Sequence, residues 1–156
     1  MSSSPPESAA ALKARALRLL ARREHSRDEL ARKLSPHAES AGVLEAVISA
    51  LTEKRQLSDE RYAEERARWL ARKYGAAKIQ QDLRAKGVTP ELAQRATAGL
   101  DDVQKARQIL ARKYPNHGMT REERAKRARF LQSRGFSYDT IRSALGLSSS
   151  TNFFEE

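Results

Sequence analysis

Three stretches of this chain end a run of helical apolar spacing in the same way. Arg18-Leu19-Leu20, Arg68-Trp69-Leu70 and Arg129-Phe130-Leu131 each set an Arg before two large apolar residues. A basic residue follows three positions after the last of these (Arg23, Lys73, Arg134), and a turn comes next. Each turn leads into a short segment with two aliphatics four apart: Leu30 and Leu34, Ile79 and Leu83, Ile141 and Leu145. Spacing of four places both side chains on one helical face. Self-similarity of this kind marks stacked helical units, none of which can bury its apolar face alone. The middle copy is one residue shorter across its turn. A second register exists, because Leu70-Ala-Arg-Lys-Tyr74 recurs at Leu110-Ala-Arg-Lys-Tyr114. The first register is preferred here because it matches turns and flanking helices in all three copies. Ala, Arg and Lys are common enough in this chain for a short match to arise by chance.

The rest of the chain is punctuated as helices. Ala, Leu, Arg, Lys, Glu and Gln dominate, all good helix formers, and no β-branched alternation is sustained. Ser26 to Glu29 and Thr120 to Glu123 have capping-box spacing. Ser58 caps a helix whose first turn carries Asp59 and Glu60, Thr89-Pro90-Glu91 opens another, and Asp101-Asp102 a third. Ser35-Pro36, Gly75, Lys86-Gly87, Tyr114-Pro115 and Gly135 end helices. The expected fold is all-α: about nine helices in three tandem three-helix repeats, helix-turn-helix-like, forming an elongated array curved to either hand. The units fall at residues 10–56, 57–100 and 101–147, between disordered tails over 1–9 and 148–156.

Thirty Lys and Arg stand against 20 Asp and Glu, a net charge of +10. Such a field attracts polyanions, and nucleic acid is expected ahead of a membrane surface. With no cysteine there is no disulfide framework and no thiolate zinc site, which fits a reducing cytoplasm. The Ser- and Pro-rich start lacks an apolar core and is not expected to be a signal peptide. No apolar run approaches the roughly 20 residues that cross a bilayer. A monomer without cofactor or metal is expected.

Chemistry of the catalytic kind has no footing in the residues. The seven glycines form no phosphate-cradling loop. His25, His37 and His117 lie far apart and read as ordinary surface residues. The acids sit among bases on exposed faces, unlike a desolvated carboxylate pair. Pairs four apart (Arg61 with Glu65, Glu64 with Arg68, Glu122 with Lys126, Glu123 with Arg127) neutralise part of the charge locally. Arg15, Arg18 and Arg22 remain as one basic stripe with Arg23 following it at the turn, Arg68, Arg72 and Lys73 as a second edge, and Arg124, Arg127 and Arg134 as a third beside Arg129. These eleven are the candidate nucleic-acid or filament contacts, and Arg18, Arg68 and Arg129 recur at one repeat position. Such a stripe contacts the phosphates of single- or double-stranded DNA and reads little sequence. The paired apolar residues, Trp69 included, are expected to be core anchors, ahead of a base-stacking role for Trp69.

Several segments together resemble the bacterial RecX regulatory proteins over about residues 10 to 147. They are Ala16 to Leu30 (ALRLLARREHSRDEL), Leu57-Ser-Asp-Glu-Arg-Tyr62, Gly75 to Gly87 with Ile79-Gln-Gln-Asp-Leu-Arg-Ala-Lys-Gly87, and Phe130 to Ile141 (FLQSRGFSYDTI). The resemblance departs at the short turn beside Gly75. It implies three tandem three-helix units. It also implies binding to the RecA recombinase and its filament on DNA, along the filament groove, with restraint of filament growth, ATP hydrolysis and strand exchange. No residue-level binding signature comes with it. The competing expectation is a sequence-specific helix-turn-helix transcription regulator, which would concentrate its readers on one helix and bind as a dimer.

Overall fold

The protein is described by a computed structural model over residues 5–116 and 120–147. His117 and the expected tail over 148–156 lie outside the described residues. Among those described there are nine α-helices, one 3₁₀ turn and no sheet. They are α1 (Ala9–Arg22), α2 (Arg27–Leu34), α3 (Ala41–Glu53), α4 (Asp59–Leu70), α5 (Ala76–Ala85), α6 (Pro90–Thr97), α7 (Asp102–Lys113), α8 (Arg121–Ser133) and α9 (Tyr138–Ala144). The 3₁₀ turn, Ser35–His37, ends α2 at Pro36. No helix among the described residues is long and apolar enough to cross a membrane.

Capping accounts for most helix starts. In eight of the nine, a Ser, Thr or Asp side chain accepts a backbone N–H of the first turn, and Gly75 before α5 is the exception. Thr120 and Glu123 form a complete capping box. Ser26 forms half of one: its Oγ accepts from Glu29 N at 3.0 Å, while the Glu29 carboxylate turns to Arg23 at 2.8 Å.

Three separate small cores follow, not one large one. α1 and α2 pack on α3, α4 and α5 on α6, and α7 and α8 on α9. The first core centres on Leu12, Leu30, Leu34 and Leu51, the second on Tyr62, Ile79 and Leu83, the third on Leu131, Phe136 and Ile141. Leu57, just before α4, is buried in the first core, and Leu100, just before α7, packs on the second.

The units meet through their middle helices. At the second junction, Gly75 N at the start of α5 donates to Arg134 O at the end of α8, at 2.8 Å. Beside it, Ala76 N donates to the Asp102 carboxylate of α7 at 3.0 Å. The first junction repeats this plan. Ser26 Oγ at the start of α2 donates to Lys86 O at the end of α5, at 2.7 Å. Arg27 N donates to the Asp59 carboxylate of α4, also at 2.7 Å. N–H groups that a lone helix leaves unpaired therefore find partners in the next unit, and opposite dipole ends meet. The missing side chain at Gly75 now has a reason: a Cβ there would lie 2.5 Å from Gly135 O.

Four expectations change. The third copy of the sequence repeat is out of register: Arg129-Phe130-Leu131 lies near the end of α8, the second helix of its unit, whereas Arg18 and Arg68 lie near the ends of first helices. The disordered tail over 1–9 does not reach its expected end, because Glu7 N donates to His37 O at 2.7 Å and Ala9 opens α1. His25 is not a surface residue. It is 1% exposed, with Nδ1 3.0 Å from Arg23 O and Nε2 2.9 Å from Lys33 Nζ, and burial pushes its pKa below 6.5. A neutral ring fits both contacts, donating from Nδ1 and accepting at Nε2. Trp69 is not a core anchor: it is 59% exposed.

Gly135 adopts φ +85, and a Cβ there would run into the Lys78 side chain at the start of α5. Gly135→Ala should therefore cost about 2 kcal/mol or more in a urea melt. Gly99, with nothing within 4 Å, is the control, and Gly99→Ala should stay within about 0.5 kcal/mol of the parent.

Candidate nucleic-acid or filament interface

The second junction opens a groove of about 1020 Å³ between the second and third units. Its walls come from the end of α4 and the following turn, from α5, from the end of α7 and from α8. Seven of its lining residues are Lys or Arg, and one, Asp82, is acidic. That acid is already engaged, 3.1 Å from Arg66 Nε, and this hydrogen bond holds the guanidinium pKa above its ordinary value. A smaller groove, about 630 Å³, lies at the first junction and shares Arg66, Trp69 and Arg72 with the larger one. The two grooves thus adjoin, with Trp69 on the ridge between them.

Like charges crowded this closely need something to hold them. Aromatic faces do so here. Lys113 Nζ lies 4.3 Å from the Phe130 ring centroid, and the Arg134 guanidinium 5.0 Å from it and 5.5 Å from that of Tyr74. Lys78 Nζ lies 4.9 Å from the Tyr74 ring, and Arg66 5.0 Å from Trp69. Each contact contributes about 0.5–1 kcal/mol at an exposed site, and for Lys78, Lys113 and Arg134 they act without a carboxylate, whereas Arg66 has Asp82 as well. Arg112 also reaches Arg72 O at 3.3 Å, and Lys78 Nζ reaches Ser133 O at 3.0 Å, so the wall is tied across the junction. The smaller groove is more neutral. Its Glu24 pairs with Arg61 at 2.9 Å and its Glu29 with Arg23 at 2.8 Å. Burial, with Glu29 nearby, pushes the Tyr62 hydroxyl up to about 12, so it stays protonated.

The eleven sequence candidates separate on this geometry. Arg72, Lys73 and Arg134 line the larger groove, and Arg23, Arg68 and Arg72 the smaller. Arg15 is bound to Glu7 by paired hydrogen bonds, 3.1 Å at the closer Nε contact. Arg18 and Arg22 are exposed on α1, outside both grooves, and Arg129 is exposed on α8. Arg124 and Arg127 are half-buried, with Arg127 3.1 Å from Asn116 O and its guanidinium over Tyr114. The expected pairing of Arg61 with Glu65 gives way to Glu24, which bridges two units.

Sequence reasoning misses Arg66, Lys78, Arg112 and Lys113. A signal for two of them is present. The repeated Leu-Ala-Arg-Lys-Tyr, short enough to pass for chance, ends α4 and α7, the first helices of adjacent units. It supplies Arg72 with Lys73 and Arg112 with Lys113, four of the groove's seven cations. Folding returns these two helix ends to one groove although about 40 residues separate them.

Three helical triplets, joined end to end and carrying basic grooves at their junctions, define a tandem three-helix repeat protein. Comparison with known proteins narrows the class. Models described as the first, second and third three-helix domains of RecX match residues 13–51, 58–96 and 101–145. A regulatory protein RecX from Herbaspirillum seropedicae is 42% identical over 141 residues, 89% of this chain and 92% of the relative. Another from Leptothrix cholodnii is 43% identical over 141 residues, 87% of this chain and 88% of the relative. The crystal structure of RecX from Lactobacillus salivarius superposes with a TM-score of 0.78 at 25% identity, covering 88% of this chain and 94% of that one. The chain belongs to the RecX family. The third matched domain begins at residue 101, which agrees with α7 opening the third unit.

Arg15→Ala and Lys113→Ala carry the same formal charge but differ in place. Lys113→Ala should elute from heparin at clearly lower salt than the parent, and Arg15→Ala at nearly the parent's salt. Equal shifts for the two would show that total charge, not the groove, holds the polyanion.

Proposed function

We propose that the chain is a regulator that binds the RecA recombinase filament on DNA and restrains its extension, lowering ATP hydrolysis and strand exchange. Membership of the RecX family supports the partner. The observation that carries the binding face is the acid-poor groove at the second junction, where two Arg-Lys pairs from adjacent units converge. A filament presents phosphates and protein at a fixed helical repeat, and a chain of linked units can follow such a path better than a compact globule. Charge of this kind gives sequence-independent, salt-sensitive contact with the backbone. On this reading the protein works by occupancy in the cytoplasm, as a monomer, with no catalytic residue, cofactor or metal. The three units divide at residues 57 and 101, as the sequence suggests.

The helix-turn-helix regulator loses its footing at two of the three units. A recognition helix meets base edges with its N-terminal residues. Here the N-termini of α2 and α5 are covered by the units that follow them.

DNA-dependent ATPase of the recombinase, measured with and without this protein, tests the proposal. Hydrolysis should fall as the protein is added, and Arg72→Ala with Lys113→Ala should weaken the effect by tenfold or more in concentration. Unchanged hydrolysis, together with tight binding to one duplex sequence, would favour the transcription regulator.

A further inference from the structure

Trp69 is unexplained by packing. It is 59% exposed, and the only other large apolar side chain exposed among the described residues, Tyr138, lies under Arg142 at 4.5 Å. An indole left in water where nearby Leu70 is buried gives up a large hydrophobic gain, so its position calls for a partner. The partner's chemistry can be read from the surroundings. Arg66 covers part of one face, 5.0 Å from the ring centroid, and is itself fixed by Asp82. Arg68 and Arg72 line the smaller groove together with Trp69, and Arg72 and Lys73 line the larger with it. Among the described residues, no carboxylate lies within ion-pair distance of Arg68, Arg72 or Lys73. The other aromatics of the larger groove, Tyr74 and Phe130, already have cations over their rings. Trp69 has one cation, Arg66, against its ring, and of the aromatics lining that groove it alone is exposed.

We propose that this ridge is a binding site for single-stranded nucleic acid, with one base stacked on the Trp69 indole and the adjoining phosphates held by Arg68, Arg72 and Lys73. The inference rests on the reading that the junction grooves are the binding face, and deepens it by naming the ligand. A track with cations on both sides of one aromatic platform matches a strand, whose phosphates flank every base. A duplex does not fit, because its internal bases expose edges but no faces. An acidic protein segment would satisfy the cations but gives no reason for an open indole beside them. Stacking on an aromatic tolerates any base, which keeps the contact independent of sequence.

Trp69 is the chain's single tryptophan, so its fluorescence reports this site alone. An oligothymidylate of about 12 nucleotides, within the usual span of one such site, should quench it in step with binding followed by anisotropy of a labelled strand. Trp69→Ala should bind the strand about tenfold more weakly, and Trp69→Phe should recover part of the loss. Circular dichroism should show the parent's helix content in both. Three outcomes would overturn the proposal. One is full binding of the oligonucleotide with unchanged fluorescence and an unaffected Trp69→Ala variant. Another is equal quenching by a duplex of the same length. The third is a Trp69→Ala variant that binds the strand normally but no longer inhibits the recombinase, which would assign the indole to a protein segment. The first two leave ATPase inhibition intact as a separate question, so failure of the stacking site is distinguishable from failure of the filament reading.

Discussion

The structure depends on how the ends of its short middle helices are satisfied. Each unit matched by a family domain is about 40 residues long, near the lower limit at which a chain can bury a stable core unaided. The starts of α2 and α5 expose amides that, left unpaired in a buried setting, would cost about 1–3 kcal/mol each. In both, a carboxylate in the first turn of the next unit's first helix accepts an amide, and a carbonyl at the end of its middle helix accepts from the cap residue, the Ser26 hydroxyl at α2 and the Gly75 amide at α5. Lys86 O and Asp59 serve α2, and Arg134 O and Asp102 serve α5. Hydrogen bonds to a carboxylate are stronger than neutral ones, so the contacts that cap a helix also set the spacing between units. Stability then propagates by nearest-neighbour contact, as in other repeat proteins.

That spacing creates the grooves. Joining α8 to α5 brings the C-terminal ends of α4 and α7 into one cleft, tied by Arg112 to Arg72 O, and their Arg-Lys pairs with them. Phe130 and Tyr74 then hold cations that would otherwise repel one another. The close meeting of Gly75 with Gly135 belongs to the same arrangement, since a side chain at either would push the units apart. Charge that composition reports only as a total becomes a local field because the junction has one geometry.

Much of this is legible in the amino-acid sequence. Capping residues mark the helix starts, and four-residue spacing of aliphatics marks the buried faces of α2, α5 and α9, because both are local properties. Three features are not local. Ser26 looks like an ordinary cap and Asp59 like an ordinary first-turn acid, and nothing within their own helices shows that each also bonds to a neighbouring unit. Trp69 shares its repeat position with the half-buried Leu19, and a periodic pattern cannot tell an inward from an outward face one position along. The register of the third unit is easily misread because Phe130-Leu131 mimics the end of a first helix although it closes α8, the second helix of its unit. Of the expected cations, Arg72, Lys73 and Arg134 converge on the larger groove, but Arg15 is consumed by Glu7, an acid eight residues away that helical spacing does not predict.

The central claim is that junction geometry, and not net charge, makes the binding face. Asp59→Ala with Asp102→Ala tests it by sign, because the substitutions raise the formal net charge from +10 by two while breaking both junctions. Affinity for a labelled single strand, measured at fixed salt with helix content checked by circular dichroism, is the readout. Weaker binding by a chain of higher positive charge is the result this account predicts. Equal or tighter binding at unchanged helix content would contradict it.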